Sequence, residues 1–204
     1  HYIGMLVRYL EKTEDPRNPG KKLIDNTYIL FTSDNGGMEK VPGEIITDNY
    51  PLDRGKINAR EGGVRVPLII RLPGGNRAGH RVTGLTQTID VMPTILDYFK
   101  TPPPPNVHGH SLLRVIEDDK SRLDAIFGYF GISLNITDGR YVYMRNPVNE
   151  DGGPLYAYTA MPTGGLNKWY PRDVYDRIEM GRYFGHTYNM PLYKIPVQGS
   201  APRE

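Results

Sequence analysis

The chain has 204 residues, with 25 basic and 23 acidic side chains and a formal net charge of +2. This length favours one domain plus an appendage, since domains average roughly 100–200 residues, and the mixed charges lack the basic stripe of a nucleic-acid-binding protein. The absence of cysteine excludes disulfides, and the apolar run ending at Arg71 is far shorter than the roughly 18 residues of a membrane span.

The first third of the chain predicts one helix and two buried strands. Apolar residues at helical spacing predict an amphipathic helix over residues 2–12. A β-branched and aromatic run predicts a strand over 27–33, and Val66–Arg71 predicts a second one. The long segment 36–63 between them has little periodicity, which is typical of functional loops.

The middle of the chain predicts further helices and a domain boundary. Asp90 can cap a helix over 91–99, and four prolines, Pro102 to Pro105, force an extended segment after it. A short helix is predicted over 111–116. We place a boundary near residue 120, between a domain over 1–120 and a small subdomain over 121–204.

The small subdomain predicts strands over 125–129 and 141–145. The Asp138-Gly139 pair between them is a hairpin-type turn signal. A helix is predicted over 172–180, and the surrounding residues are dense in proline, glycine and tyrosine. The expected architecture here is a small antiparallel α+β subdomain.

The strongest chemical signal is the pair Asp34-Asn35 at the carboxyl end of the first strand. Open α/β sheets keep their ligand sites at this edge, and carboxylate and amide oxygens suit Ca²⁺ or Mg²⁺. The alternative is a hairpin, because Asn-Gly after an apolar run is a type I′ turn signal. That alternative requires a partner strand in residues 38–48, which are poor strand formers.

Four motifs in order resemble the sulfatase family of the alkaline-phosphatase-like superfamily. They are Ser33-Asp34-Asn35-Gly36, Lys56 ahead of Glu61-Gly62-Gly63-Val64-Arg65-Val66-Pro67, Ile89-Asp90-Val91-Met92-Pro93-Thr94, and Gly109-His110-Ser111-Leu112. The resemblance extends to Leu113 and implies an alkaline-phosphatase-like α/β fold with a mostly parallel sheet flanked by helices. It also implies that the chain is the carboxy-terminal portion of a catalytic domain.

The resemblance implies a sulfuric ester hydrolase, such as an arylsulfatase, acting on a sulfated small molecule or glycan. Asp34 and Asn35 would be metal ligands for one Ca²⁺, with Mg²⁺ as the other candidate, and two acidic residues from elsewhere would complete the shell. Lys56 would bind the sulfate group of the substrate. Gly62, Gly63 and Arg65 would be structural, with Arg65 anchored to a neighbouring carboxylate.

One family feature is missing from this sequence. Sulfatases carry a Cys/Ser-x-Pro-x-Arg motif whose Cys or Ser is matured to the formylglycine nucleophile, and the motif does not occur here. We therefore expect this fragment alone to be inactive. Compartment is not determined by these residues; family analogy allows a secreted or periplasmic location.

Two other functions are compatible with the sequence. A phosphonate or phosphodiester hydrolase of the same superfamily would use the same fold with two transition-metal ions. A degenerate, non-catalytic sulfatase module would explain the missing nucleophile. Asn35 favours the sulfatase, because the two-zinc members often have histidine at this position.

Other residues are weaker candidates. His108 and His110 form a His-x-His pair that could approach the substrate at the rim of the pocket. Asn135-Ile136-Thr137 fits a glycosylation sequon. The aromatic residues near Tyr156 and Tyr158 are expected to pack the small subdomain, with a sugar-binding wall as the alternative.

Overall fold

The computed structural model describes residues 1–39, 47–118, 122–131, 133–149, 152–163 and 169–197. The chain forms two compact units, His1–Thr83 and Gly84–Glu204. The predicted boundary near residue 120 lies within the second unit, at residues outside the described part, and stays a prediction.

The first unit contains two short helices and two strands. They are α1 (Tyr2–Lys12), β1 (Ile29–Thr32), α2 (Glu61–Val64) and β2 (Leu68–Arg71). The prediction of α1 is confirmed, and the two predicted strands are present but shorter than expected. Within the described chain no residue of α1 is buried, and Ile24 is the buried apolar residue of this unit.

The two strands of the first unit pair antiparallel, with Thr32 opposite Leu68 and Ile29 opposite Arg71. Every strand pair among the described residues is antiparallel. The expected mostly parallel sheet is therefore not present in the described part of the chain. A four-residue apolar strand predicts burial, but it does not encode the direction of its neighbour, which is why the sequence pattern could not settle this point.

The second unit contains two helices followed by two small sheets and a short third helix. They are α3 (Val91–Tyr98), α4 (Leu112–Asp118), β3 (Ala125–Tyr129), β4 (Ser133–Thr137), β5 (Val142–Arg145), β6 (Leu155–Thr159), α5 (Arg172–Tyr175), β7 (Glu179–Gly181) and β8 (Leu192–Val197). The strand orders are β3-β4-β5 and β6-β8-β7. Its buried apolar residues are Leu112, Val115, Ala125, Leu192 and Ile195.

Two predictions for the second unit need correction. The helix predicted over 172–180 ends at Tyr175, because Glu179–Gly181 pairs with β8 instead, and this pairing outweighs the local helical pattern. The side chain of Asp90 does not cap α3. It instead closes the turn before the helix by accepting a hydrogen bond from the backbone N–H of Gln87 at 2.8 Å.

The turn predicted at Asp138-Gly139 is confirmed. The strand that precedes it, β4, is absent from the predicted elements. The turn joins β4 to β5, which pair with Thr137 opposite Val142. Asp138 Oδ1 accepts hydrogen bonds from the backbone N–H groups of Tyr141 at 2.7 Å and Arg140 at 2.8 Å. An expected antiparallel subdomain is thus present in the second unit.

Among the described residues no helix is long and apolar enough to cross a membrane.

Candidate functional site

The residues Asp34 to Gly37 leave the end of β1 in a turn that is packed against a distant part of the chain. Ser33 Oγ donates a hydrogen bond to the backbone carbonyl oxygen of Asn35 at 2.8 Å. The backbone N–H of Gly36 donates to the carbonyl oxygen of Gly63 at 2.8 Å. The turn is therefore held by contacts on both of its sides.

No described residue directly after Asn35-Gly36 pairs with β1, which disfavours the hairpin alternative, although residues 40–46 of its expected partner lie outside the described part of the chain. A two-residue hairpin would pair β1 with residues directly after the turn. The strand opposite β1 is Leu68–Arg71, more than thirty residues later along the chain. Asn35, Gly36 and Gly37 therefore do not form the turn between β1 and its paired strand.

Close backbone contact explains the glycines of this region. A Cβ atom on Gly36 would overlap the carbonyl oxygen of Gly62, and one on Gly62 would overlap the carbonyl oxygen of Arg54. Only a residue without a Cβ allows backbones to approach so closely. The structural role predicted for Gly62 is confirmed, and Gly63 is buried beside it.

Lys56 lies next to this turn. Its backbone N–H donates to the carbonyl oxygen of Gly37 at 2.8 Å. The lysine backbone therefore contacts the residue two positions after Asn35, although a long loop separates the two in sequence. The Lys56 side chain is exposed. The structure therefore places the backbone of Lys56 against the segment that follows Asp34 and Asn35. A shared site of these three side chains stays a prediction.

The side-chain oxygen of Asn35 is a buried acceptor that could bind a cation. This Oδ1 atom is buried and has no hydrogen-bond partner among the described residues. Leaving a buried acceptor unsatisfied costs about 1–3 kcal/mol, so native structures keep few of them. A hard cation bound to this oxygen would remove the cost, and the neighbouring Asp34 carboxylate is exposed and able to join it.

These residues fit a divalent cation but do not complete its shell. Ca²⁺ takes six to eight oxygen ligands. The described residues contain no group of three or more His, Cys, Asp or Glu side chains that could hold a metal ion. Asp34 and Asn35 would therefore supply only part of a coordination shell.

Arg65 is anchored as expected. Its Nη1 lies 3.4 Å from Glu61 Oε1, one helical turn earlier. Both side chains are largely exposed, so this ion pair contributes little to stability.

The histidine pair lies in the second unit, on a loop that a buried carboxylate fixes. His108 and His110 are exposed. The backbone N–H of His110 donates to Asp90 Oδ1 at 2.8 Å, and the guanidinium of Arg122 also binds this oxygen. Asp90 is only 2% exposed. A role of the histidines in substrate binding stays a prediction.

Sequence reasoning missed two polar residues that organise these loops. The sequence predicts only a capping role for Asp90, because its bonds to residues twenty and thirty-two positions away have no local signature. Asn49 was not selected at all, although its Nδ2 donates to the carbonyl oxygens of Gly37 and Arg54 at 3.0 Å each. Asn49 stands among other polar residues of the loop, so no sequence pattern distinguishes it as the residue that links Gly37 to Arg54.

The remaining candidates are buried or packed against aromatic rings of the second unit, and the buried amide of Asn135 has no hydrogen-bond partner among the described residues. Asn135 is 1% exposed in the middle of β4, so its side chain is inaccessible in this fold. Tyr158 makes edge contacts with Tyr183 and Phe184, at ring-centroid distances of 5.1 and 4.7 Å. Packing of the tyrosines within the small subdomain is confirmed at this position.

A family model and individual relatives both show similarity of this chain to sulfatases and related proteins. The sequence model of the sulfatase family matches residues 1–101. A sulfatase from Formosa agariphila is 36% identical over 166 residues, which cover 74% of this chain and 29% of the relative. A multifunctional alkaline phosphatase superfamily protein, PehA of Trinickia caryophylli, is 35% identical over 119 residues, covering 58% of this chain and 20% of the relative.

A solved structure shows the same likeness in three dimensions. The crystal structure of Ps i-CgsB in complex with k-i-k-neocarrahexaose superposes with a TM-score of 0.53 at 26% identity. The match covers 66% of this chain and 29% of that one. The chain thus spans less than a third of the length of each of these proteins.

Proposed function

Because the chain belongs to the sulfatase family through residues 1–101, we propose that it forms part of an enzyme that hydrolyses a sulfate ester. The proposal includes a sulfated glycan as the substrate class. Its support is the structural likeness to Ps i-CgsB, which was solved with a bound neocarrahexaose. The alkaline-phosphatase-like arrangement of the wider domain, with a parallel sheet, is part of the same proposal.

The buried Oδ1 of Asn35, without a hydrogen-bond partner in the described chain, is the observation that supports this function best. In the proposal Asp34 and Asn35 hold one Ca²⁺ together with acidic residues from outside this sequence. Such an ion supplies positive charge that draws the sulfate oxygens and the nucleophile together. The chain's own contribution is to present both oxygens from a turn that its backbone contacts keep fixed.

Lys56 is proposed to bind the sulfate group and to favour departure of the alcohol. Its ammonium is a compact charge on a flexible side chain. The hydrogen bond between the Lys56 N–H and the Gly37 carbonyl oxygen places the base of that side chain near the proposed metal ligands. Positive charge placed where the leaving oxygen becomes negative stabilises the transition state. The nucleophile would be a formylglycine from a Cys/Ser-x-Pro-x-Arg motif that this sequence does not contain.

Kinetics of the longer protein that contains this chain test the proposal. We expect Lys56→Ala to lower kcat/KM for a sulfate ester about 10²–10³-fold, the usual loss for one preorganised contact. Lys12→Ala, at an exposed position of α1, is the matched control and should keep wild-type turnover. Near-wild-type turnover in Lys56→Ala removes this residue from the mechanism.

A phosphonate or phosphodiester hydrolase is the second candidate, supported by the similarity to PehA, a multifunctional member of the alkaline phosphatase superfamily. Metal analysis of the purified longer protein separates the two. One Ca²⁺ per chain supports the sulfatase, whereas two transition-metal ions support the alternative. Turnover of matched sulfate and phosphate esters provides the second, independent readout.

A further inference from the structure

We infer that Asn49 is a positioning residue that holds Lys56 beside the Asp34-Asn35 turn. The inference deepens the proposed function and rests on the role proposed there for Lys56. Asn49 Nδ2 donates one hydrogen bond to the carbonyl oxygen of Gly37 and another to that of Arg54, each at 3.0 Å. One amide thus joins the segment after the metal ligands to the segment before the lysine.

One end of this bridge meets the atom that holds the backbone of Lys56, and the other end lies two residues before the lysine. The Gly37 carbonyl oxygen that accepts from Asn49 also accepts from the backbone N–H of Lys56, at 2.8 Å. Gly55, between Arg54 and Lys56, packs so tightly that a Cβ on it would lie 2.6 Å from Asn49 Nδ2. The side-chain amide of Asn49, the carbonyl oxygen of Gly37 and the backbone N–H of Lys56 are therefore joined in one hydrogen-bonded cluster.

The loop needs such a bridge because its backbone is strained. Arg54 has a φ of 63° and Ile57 a φ of 71°, so Lys56 lies between two non-glycine residues in the left-handed region. This region costs roughly 1–2 kcal/mol for an L-residue and is a genuine outlier for a β-branched one. Strain of this kind persists only where surrounding contacts over-determine the conformation.

Asparagine suits this position for a chemical reason. Its NH₂ group has two donors on one nitrogen, which can serve two carbonyl oxygens at once. Aspartate has nearly the same shape but only acceptors, and it would place a charge against both carbonyls. The substitution Asn49→Asp therefore removes the bridge while it keeps the volume of the side chain.

Steady-state kinetics of the longer protein provide the first test. A misplacement of about 1 Å costs about 10²-fold in rate, so we expect Asn49→Asp to lower kcat about 10²-fold. We also expect it to raise KM, because the proposed Lys56 contact with the sulfate group exists in the bound substrate as well as in the transition state. The matched control is Asn76→Asp, at an exposed position of the same unit, which should leave both constants unchanged.

A double-mutant cycle shows whether Asn49 acts through Lys56. In a Lys56→Ala background we expect Asn49→Asp to cost no more than about twofold, because the group it positions is already absent. If the two losses multiply in full, Asn49 acts independently of the lysine and the inference is wrong.

Amide hydrogen exchange gives a readout that does not depend on catalysis. The Lys56 N–H should be protected in the wild type and in Asn76→Asp, and should exchange at least about tenfold faster in Asn49→Asp. Unchanged protection in Asn49→Asp would overturn the inference. Loss of protection in a protein that hydrolyses no sulfate ester would support the bridge and defeat the proposed function instead.

Discussion

The two loops that carry candidate site residues are fixed in different ways. In the first unit the turn after β1 is held by backbone atoms, with Gly36 against Gly62 and Gly62 against Arg54. In the second unit the histidine loop also has a close backbone contact, between Gly109 and the carbonyl oxygen of Ile89, but a buried side chain is added to it: Asp90, which binds His110 and Arg122.

The difference reflects how much core each unit has. The second unit buries five of the six buried apolar side chains found among the described residues, whereas the first buries only Ile24. With little apolar packing, the first unit depends on main-chain contacts that admit no side chain. We therefore expect the loss of the Asp90 carboxylate to destabilise the second unit, and a methyl group added at Gly62 to destabilise the first.

The largest effect is expected for Asp90→Ala. It removes one partner of the nearly buried Arg122 guanidinium, and it removes the carboxylate acceptor of the N–H groups of Gln87 and His110. Removing one partner of a buried ion pair costs about 3–5 kcal/mol. Urea unfolding should show this loss, whereas Asp124→Ala, at an exposed position, should stay close to the wild type.

Equal stabilities of the Asp90→Ala and Asp124→Ala variants would mean that the carboxylate does not hold the histidine loop.

Gly62→Ala should have the next largest effect. The new methyl group would overlap the carbonyl oxygen of Arg54, and the backbone must move. Overpacking of this kind costs about 1–3 kcal/mol. Differential scanning calorimetry should show a lowered Tm, while Gly185→Ala, where a Cβ meets nothing within 4 Å, is the control. A Tm equal to that of the control would show that the backbone contact is not tight.

Ile57→Gly should stabilise the first unit, in contrast to the two losses above. Ile57 has a φ of 71° and is 64% exposed, so glycine relieves the strain and gives up little packing. The relief is about 1–2 kcal/mol, and the added flexibility of the unfolded chain offsets about 0.5–1 kcal/mol of it. Chemical denaturation measures the difference, and Ile57→Val, which keeps the strain, is the control.

A destabilised Ile57→Gly variant would show that the side chain makes a contact that outweighs the strain.

The smallest effect is expected at Asp138, which holds the β4–β5 turn as Asp90 holds its loop, but from an exposed position. Hydrogen bonds from the backbone N–H groups of Tyr141 and Arg140 lower the pKa of this carboxyl below its ordinary 3.8. Because the folded pKa is the lower one, its stabilisation is present above pH 3.8 and is lost as pH falls through the folded pKa.

Asp138→Asn should therefore be less stable than the wild type at neutral pH, and the difference should shrink in acid. Unfolding by urea at about pH 7 and about pH 2 measures it. A difference that does not change with pH would show that the charge of the Asp138 carboxylate does not stabilise the turn.

The sequence predicted the local features well and the long-range ones poorly. Helix α1 and the Asp138-Gly139 turn follow from spacing and turn chemistry within a few residues. Strand direction and the end of α5 depend on partners far along the chain, such as β8. The same distinction applies to the site: Asp34, Asn35 and Lys56 belong to recognisable motifs, whereas the bridge made by Asn49 appears only once the loop is folded.

A crystal structure of the longer protein, grown with Ca²⁺, tests most directly whether Asn35 and Lys56 belong to one site. We expect an ion at about 2.3–2.6 Å from Asn35 Oδ1, the usual Ca²⁺–oxygen distance, with a carboxylate oxygen of Asp34 also bound and the Lys56 ammonium facing the same pocket. An Asn35 side chain hydrogen-bonded to protein, with no ion beside it and Lys56 directed away, would contradict the proposed site.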